Sequence, residues 1–280
     1  MSESKVSVYM ITYNNERTVR KALESVTWAD EVVVVDSFSD DKTVEICREF
    51  TDKVFQRKWP GFRDQYQHAA DQTSHPWVLF LDADEEIPGE LAQEIRRVVD
   101  DNGDGADGFI VYRRTHYMGR WIRHGGWYPD CEIRLYRRDK GRWEGGLFAK
   151  VAVHGKAGSL THPYLHYPYR DISEQIQRAD RYSRTAAEEM FQEGQRCSLL
   201  DLLFRPIFRF VKEYLLKSGF RDGVPGLVII TTTMFYVFMK YAKLWELTHA
   251  AGPGPTSQDR INTGDSKVTP AEKESEHGSF

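Results

Sequence analysis

The chain has 280 residues, of which 40% are hydrophobic and 29% are charged, as is ordinary for a soluble globular protein with a real core. The net charge of −4 is unevenly distributed: residues 1–111 carry 12 Lys/Arg against 23 Asp/Glu, whereas residues 112–150 carry 10 against 4. A basic segment after an acidic one indicates a site for an anionic ligand, and we expect no nucleic-acid partner.

The first part of the chain alternates between two patterns. Short apolar runs predict strands at residues 6–11, 32–35, 54–55 and 78–81, and apolar residues spaced by three or four predict helices at residues 14–26, 43–50 and 62–72. This order predicts an α/β fold with a mostly parallel sheet flanked by helices. Ligands bind at the carboxyl ends of such strands, where Asp36 and the acidic residues 82–86 stand.

The second part of the chain continues the α/β pattern and then changes character. We expect helices at residues 88–101 and 171–193, and strands at residues 109–113 and 132–137. Residues 204–215 predict a basic amphipathic helix of the kind that rests on a membrane, or a helix packed on its own domain. The apolar run 224–239 has 16 residues, fewer than the roughly 18 that span a bilayer, so a buried or interfacial helix is expected.

The composition along the chain predicts three regions. Residues 1–195 are the expected catalytic domain, residues 196–250 the amphipathic or interfacial helices, and residues 251–280 a disordered tail without apolar periodicity. The cysteines at positions 47, 131 and 197 are far apart and odd in number, which indicates a reducing compartment. The first residues have no long apolar run before Ser7, so no signal peptide is expected.

The segment "WVLFLDADEE" places an Asp-x-Asp motif at the end of a strand that is expected to be buried. Carboxylates at such a position hold hard divalent cations, commonly together with the phosphates of a substrate. The alternative is an acidic helix start, because Glu85 and Glu86 would suit a helix N-terminus.

Four motifs in succession carry a resemblance to a known family: "ITYNNE", "VVVVDSFSDDKT", "GFRDQYQHAA" and "VLFLDADEE". In this order they resemble the family 2 glycosyltransferases, which have the GT-A fold, over roughly residues 5–195. Two further stretches, "WYPDCEIRLYRR" and "HYPYRDISEQIQRADRYS", are similar to the subgroup that includes the lipopolysaccharide core β-1,4-glucosyltransferases.

The resemblance implies a pocket for a nucleotide-sugar donor. Its expected residues are Thr12, Tyr13, Asn14, Glu16, Asp36, Arg63, Gln65, Asp82 and Ala83. Asp36 would accept the imide N–H of uracil, which suits an ionised carboxylate, although a helix-cap or turn role is the alternative. Arg63 would contact the diphosphate, or else is a plain surface residue.

The resemblance also implies a divalent metal, Mg²⁺ or Mn²⁺, with Asp84 as a direct ligand and Asp82 facing both ribose and metal. Relatives often carry a His followed by an acidic residue where this chain has Phe148 and Ala149. His166, or less favourably His154, would then complete the metal shell, and the alternative is a structural histidine. Relatives also often read Lys and Asn at positions 66 and 67, which are Tyr and Gln here.

The stretch "HGGWYPDCEIRLYRR" forms the second expected chemical centre. Trp127, Tyr128 and Arg134 would bind the acceptor, because aromatic faces suit sugar rings and Arg suits phosphate. Asp130 matches the Asp of the family's W-x-P-D element and would be the general base. The alternative is a core Trp beside a surface Arg cluster.

These features predict a metal-dependent, inverting glycosyltransferase that moves a hexose from a UDP-sugar to a glycan or glycolipid of the bacterial cell envelope. It would be cytoplasmic and peripheral at the anionic inner face of the cytoplasmic membrane. A nucleotidyltransferase is a first alternative, but it would normally have a Gly-rich loop, and "TYNNERT" has no glycine. A non-catalytic relative that binds sugar nucleotides is the second.

Overall fold

The computed structural model describes residues 4–249, and its elements are numbered here in chain order. The strands are β1 Val6–Thr12, β2 Glu31–Asp36, β3 Val54–Gln56, β4 Trp77–Phe80, β5 Glu85–Glu86, β6 Gly108–Tyr117, β7 Arg120–Trp121, β8 Asp130–Arg137, β9 Gly141–Glu144, β10 Lys150–Val153, β11 Ala157–Ser159 and β12 Tyr164–His166. The α-helices are α1 Val19–Glu24, α2 Thr43–Arg48, α3 Phe62–Asp71, α4 Gly89–Asp100, α5 Ile172–Gln192, α6 Leu199–Val211 and α7 Gly223–His249.

The main sheet has the strand order β3-β2-β1-β4-β8-β6-β12-β5. Its first four strands are parallel, whereas β8 runs antiparallel to both β4 and β6. The strand β12 is parallel to β6, and β5 closes the edge antiparallel to β12. The prediction of a mixed α/β sheet flanked by helices is confirmed.

The central parallel strands β1, β2 and β4 are largely buried on both faces, because their apolar side chains belong to two cores. On β1, Val8 and Met10 join a cluster that includes residues of α1 and α4, while Tyr9 and Ile11 join a second cluster with residues of α3. The parallel register pairs Thr12 with Asp36. The carboxyl ends of β1 and β2 therefore meet at one edge of the sheet.

Two local expectations differ from the structure. Glu85 and Glu86 form the short strand β5 and pair with Leu165 and His166, so they do not begin a helix. The helix expected from residue 204 begins earlier, at Leu199, because Ser198 and Asp201 form a capping box. It continues into a π-helical turn, Lys212–Leu216.

The last helix, α7, packs along α5 and α6. Lys243 Nζ on α7 donates to Asp180 Oδ1 at 2.6 Å and to Ser183 Oγ at 2.9 Å, both on α5. Within residues 4–249, the helical segment Gly219–His249 is the one long and apolar enough to cross a membrane by length and composition, with a mean hydropathy of 1.4. A mostly buried core helix of a soluble protein passes the same test, whereas 33% of this apolar window is buried.

The expected tail, residues 251–280, lies outside the described residues. The regions expected as 1–195 and 196–250 share side-chain clusters. In one cluster Ala187 packs with Val237 and Leu244, and in another Ile122 packs with Ile230. All three cysteines are free, and Cys131 is exposed whereas Cys47 and Cys197 are buried.

Candidate active site

The loops that follow β1 and β2 are joined by hydrogen bonds between their backbones and side chains. Asn14 N donates to Ser39 Oγ at 2.9 Å, and Asp40 N donates to Asn14 Oδ1 at 3.0 Å. Glu16 belongs to the same contact region, where its amide donates to Asp41 Oδ2 at 3.1 Å. Asn14 and Glu16 thus connect the loops after β1 and β2, which together we call the rim. The ring of Tyr13 is 59% exposed above the rim and is free to stack on a ligand.

Asp36 lies fully buried beneath this rim. Its carboxylate accepts hydrogen bonds from Thr12 Oγ1 at 2.9 Å, from Ser39 N at 2.8 Å and from Ser39 Oγ at 2.5 Å. Gln56 Nε2 is a fourth donor at 3.4 Å. Asp36 therefore stabilises the turn after β2, which agrees with the turn role that was its alternative. A uracil N–H would have to replace the long Gln56 bond, and the contact with the base stays a prediction.

Phe38 is a feature that the sequence reasoning missed. Its side chain is 52% exposed, and its backbone has a φ of 62°, in the left-handed region that bulky residues rarely adopt. Strained backbone of this kind clusters at ligand sites. An aromatic residue inside the polar run "DSFSDD" is the signal that could have identified it.

The helix α3 supplies the two other donor residues expected from the sequence. Gln65 is buried, and its Nε2 donates to Ser37 Oγ at 3.1 Å, which fixes the loop after β2. Its Oε1 has no hydrogen-bond partner within residues 4–249. Arg63 is exposed and pairs with the adjacent Asp64 at 2.7 Å. Gln65 thus supports the rim from below, and a diphosphate contact by Arg63 stays a prediction.

Asp82 is held by the tyrosine that stands where relatives often carry Lys. Tyr66 Oη donates to Asp82 Oδ1 at 2.7 Å, and the Tyr66 ring stacks on Trp143 with centroids 4.3 Å apart. Burial raises the pKa of Asp82, opposed by the charge of Arg134 and by this hydrogen bond. A neutral donor orients the carboxylate without cancelling its charge. Ala83 is buried, so any donor contact there comes from its backbone.

Asp84 and His166 meet because β5 pairs with β12. His166 Nε2 lies 3.7 Å from Asp84 Oδ1, and Arg178 Nη1 lies 3.6 Å from Asp84 Oδ2. Burial and the Asp82 carboxylate raise the pKa of Asp84 to about 6, against the charge of Arg178. Burial, and then the surrounding arginines, lower the pKa of His166 well below its usual value. The imidazole is therefore neutral and keeps a lone pair for a ligand.

This donor set fits a divalent cation whose shell is completed by the substrate. Within residues 4–249 no three His, Cys, Asp or Glu side chains are grouped for a metal on their own. Asp84 and His166 nevertheless offer one oxygen and one nitrogen side by side, and Mg²⁺ commonly takes one or two carboxylates plus phosphate oxygens. His154, the other histidine considered, is exposed just beyond β10.

The prediction that Arg134 binds the acceptor is wrong. Its side chain is only 3% exposed and forms a double hydrogen bond with Glu85, at 2.7 and 2.9 Å. It also contacts Glu132 at 2.5 Å and lies between the rings of Phe80 and Tyr164. Arg134 is therefore a buried structural cation. The alternation of side chains along the strand did not by itself predict this burial.

Asp130 stands at the start of β8, opposite Arg113 on β6, and the two form an ion pair. The side chain of Asp130 is 34% exposed, so it is accessible from solvent. Tyr128 next to it is 40% exposed. Trp127 is half-buried and packs on Tyr117 with centroids 5.5 Å apart, which matches the core-Trp alternative in part. Tyr128 is therefore the better placed aromatic for a sugar.

A cleft of about 240 Å³ opens beside Asp84. Its lining residues are Arg17, Thr18, Lys21, Asp84, Glu85, Glu86 and Tyr167. Arg17 and Lys21 line the same cleft as Asp84, and Arg178 lies beside its carboxylate, so these cations suit a diphosphate. The sequence reasoning missed all three, although the basic residues at the start of the first helix were a usable signal.

Comparison with known proteins gives one family and full-length relatives. The family model described as Glycosyl transferase family 2 matches residues 7–155. The lipopolysaccharide core biosynthesis glycosyltransferase LpsC of Rhizobium meliloti (strain 1021) is 28% identical over 267 residues, which cover 92% of this chain and 97% of LpsC. An uncharacterized glycosyltransferase of Rickettsia bellii (strain RML369-C) is 30% identical over 270 residues, 91% of each chain.

Solved structures with a similar fold include TarS 1-349 of S. aureus in complex with UDP-GlcNAc. It has a TM-score of 0.47 at 16% identity and covers 88% of this chain and 92% of its own. The mannosyltransferase PcManGT of Pyrobaculum calidifontis, in complex with GDP-Man and Mn²⁺, has a TM-score of 0.47 at 15% identity and covers 86% and 87%.

Proposed function

The chain is a member of glycosyl transferase family 2 with the GT-A fold, and we propose that it transfers a hexose with inversion from a UDP-sugar to a hydroxyl of a cell-envelope glycan or glycolipid. The observation that carries this proposal is that Asp82 and Asp84, the expected metal-side carboxylates, lie at the same edge of the sheet as Asp130, the proposed base. The strand β8 begins at Asp130 and runs antiparallel to β4, so Asp130 lies at the edge where β4 ends and where Asp82 and Asp84 follow. Arg113 pairs with Asp130 at this edge.

The two sides of this edge suit the two halves of a displacement reaction. The Asp84 side, with the cations of the adjoining cleft, would take the leaving diphosphate. A Mg²⁺ or Mn²⁺ bound by Asp84 and His166 would supply further neutralisation of that charge. Tyr13 and Phe38 would flank the base, and Asp82 would face the ribose.

The Asp130 side would take the acceptor. One carboxylate oxygen, Oδ2, accepts from Arg113, while Oδ1 has no hydrogen-bond donor within residues 4–249. This oxygen would remove the proton of the attacking hydroxyl as the new glycosidic bond forms. Tyr128 would pack against the acceptor sugar, and the position of Trp127 behind it would limit the loop's movement.

The similarity to LpsC, over nearly the full length of both chains, favours an acceptor in the cell envelope and a cytoplasmic enzyme at the inner face of the membrane. The nucleotidyltransferase alternative is less favoured, because the loop after β1 has no glycine and uses Asn14 for its left-handed turn, with a φ of 52°. The non-catalytic alternative rests on Phe148, which is exposed where relatives often carry His.

A thermal-shift screen of nucleotide sugars, with and without Mn²⁺, tests the proposal. A donor at one hundred times its dissociation constant stabilises the native state by about 2.7 kcal/mol. We expect stabilisation by one UDP-hexose, and only with the metal. Release of UDP from that donor, measured next, separates an enzyme from a binding relative. Stabilisation by a nucleoside triphosphate in place of any nucleotide sugar would contradict the proposal.

A further inference from the structure

The segment around α6 exposes an unusual number of large apolar side chains. They are Leu199, Leu200, Leu203, Phe204, Ile207, Phe208, Val211, Leu215, Leu216, Phe220, Val224 and Leu227. Those on α6 and the π-helical turn recur mostly every three or four residues, which is the spacing of one helix face, while Phe220, Val224 and Leu227 follow in the next turn and at the start of α7. An exposed apolar surface of this extent marks an interaction site. We call it the apolar ridge.

The charges beside the apolar ridge are predominantly positive. Lys212, Lys217 and Arg221 are exposed and have no carboxylate within 4 Å in the described part of the chain. The acidic residues nearby are already engaged, since Asp201 pairs with Arg205 and Glu213 with Arg209. The ridge therefore presents apolar side chains bordered by uncompensated cations.

The opposite side of this segment holds the loop that leads to Asp130. The buried carboxylate of Asp222 accepts from Arg123 N at 3.1 Å and from His124 N at 2.7 Å. Gly125 N donates to the Lys217 carbonyl at 3.0 Å. The loop residues therefore take their position from the same short segment that carries the ridge.

Glu213 is a further contact between the π-helical turn and the loop that leads to Asp130. Its carboxylate lies close against Gly126, so that a Cβ added there would meet Glu213 Oε1. A side chain at position 126 would require the Glu213 carboxylate to move. The π-helical turn and the loop at residues 123–126 are thus in direct contact through Glu213 and Gly126.

We infer that the apolar ridge docks on an anionic lipid bilayer. Docking fixes the loop at residues 123–126, which we call the acceptor loop, through its contacts with Asp222, Lys217 and Glu213. This inference rests on the proposed function, because the loop leads to Tyr128 and Asp130 on the proposed acceptor side of the site. The bilayer acts as a ligand that orders this loop where a lipid-linked acceptor would arrive.

Two other occupants of the ridge fit less well. Residues 250–280 contain Ile261, Val268 and Phe280 as their only large apolar residues, too few to cover twelve exposed side chains. A second copy of the chain would bring its own three cations against these, which like-charge repulsion disfavours. An anionic bilayer matches both the apolar side chains and the cations.

Vesicle flotation of the full-length chain tests the docking surface. We expect binding to phosphatidylcholine vesicles containing 30% phosphatidylglycerol and little binding to phosphatidylcholine alone. The double variant Lys212→Gln/Lys217→Gln should bind about 30-fold more weakly, at roughly fivefold for each cation. The matched control Lys140→Gln/Lys156→Gln, with exposed lysines elsewhere, should bind within twofold of the wild type.

Amide hydrogen exchange tests the coupling without using a sugar donor. Adding the anionic vesicles should slow exchange of the Arg123, His124 and Gly125 amides by about tenfold in the wild type. Asp222→Ala should still float with the vesicles but lose this protection. Asp222→Asn keeps an acceptor oxygen and should retain it. The wild-type comparison stands even if Asp222→Ala does not fold.

Three results would overturn the inference. The chain could stay in the soluble fraction with anionic vesicles at low salt, or bind while the loop amides exchange unchanged. It could also form a dimer that Phe204→Ser/Phe208→Ser dissolves, which would assign the ridge to a second copy. A chain that binds no nucleotide sugar would fail the proposed function and could still pass all of these tests.

Discussion

At the scale of single residues, the proposed function would make two opposing demands on Asp130, which is paired with Arg113. A general base needs a free carboxylate oxygen, whereas an ion pair holds a carboxylate in place and stabilises its charge. The pairing of Arg113 with Oδ2 alone leaves Oδ1 for the acceptor hydroxyl. Arg113 can therefore orient the Asp130 carboxylate while leaving one of its two oxygens for the acceptor.

Replacement of Asp130 by Asn keeps the shape and removes the basicity. We expect kcat to fall by about 10²–10⁴-fold with donor affinity nearly unchanged, because the base acts only in the transition state. Steady-state kinetics and donor titration measure the two quantities. Asp139→Asn, at an exposed turn after β8, is the matched control. Turnover within a few-fold of the wild type would assign the base elsewhere, with Glu144 next, since Glu132 is already bonded to Arg134 and Tyr164.

Asp84→Asn should abolish metal-dependent binding of the donor while leaving the fold intact. The carboxylate is the first expected metal ligand, and the amide that replaces it has no charge to offer the cation. Calorimetric titration of UDP with and without Mn²⁺ measures the effect, with Asp139→Asn again as control. An unchanged affinity in the presence of the metal would remove Asp84 from the coordination shell.

Glu31 supplies a prediction about acid stability. Burial alone would raise the pKa of Glu31, but hydrogen bonds from Lys53, Ser7 and Ser74 lower it to about 2. Its folded pKa is thus below the ordinary 4.5, so its stabilisation is present above that pH and is lost as the pH falls towards 2. Glu31→Gln should lower the free energy of unfolding at pH 7 and have little effect near pH 2. Denaturant titrations at both pH values, with exposed Glu24→Gln as control, measure this; equal losses at both would contradict it.

At the scale of elements, Arg134 ties β8 to β5 and to β12. Its guanidinium meets Glu85 of β5 and Tyr164 of β12, between two aromatic rings. This pairing holds β5 at the edge of the sheet, directly after Asp84, the proposed metal ligand. The position of Asp84 beside His166 therefore depends on a buried cation about 50 residues away in sequence.

Arg134→Ala should destabilise the chain by about 3–5 kcal/mol, since it leaves the buried carboxylate of Glu85 without its partner. Chemical denaturation measures the loss. Arg142→Ala on the neighbouring strand β9 removes a surface pair with Asp71 and should cost under about 1 kcal/mol. A similar small loss for Arg134→Ala would mean that Glu85 is protonated or hydrated in the native state.

The sequence predicted the elements with strong local patterns and missed those set by pairing across the sheet. The β-branched run of β2 and the apolar spacing of α4 and α5 placed those elements within a few residues. The strand β5 was missed because two glutamates carry no strand pattern, and only β12 gives them a partner. His166 was proposed from the family pattern, and its contact with Asp84 follows from that same pairing. Arg134 was misassigned because its burial comes from side chains far away in sequence.

At the scale of the whole molecule, the C-terminal helices form two side-chain clusters with residues from the first 195. Ile122 and Tyr117 pack against Ile229 and Ile230, and Ala187 packs against the end of α7. These contacts cross the expected boundary at residue 195, which stays a prediction.

A chain that ends at residue 195 should therefore be less stable and prone to aggregate. It would expose the partners of α7, which burial now removes from water. Size-exclusion chromatography and thermal unfolding measure the outcome. A chain that ends at residue 249 keeps every contact described and is the control. A monomeric, cooperatively folding product from residues 1–195 would show that the helices are an independent addition.

The exposure of Cys131 gives the native chain a single addressable thiol. Cys47 and Cys197 are buried, and burial, with the nearby Asp36 and Asp41, raises the pKa of Cys47 to about 12, which keeps it unreactive. Side chains alternate along a strand, so Cys131 points away from the face that carries Asp130. A fluorophore attached there would sit one residue from the proposed base without covering it, and would report the arrival of acceptor or vesicle in real time.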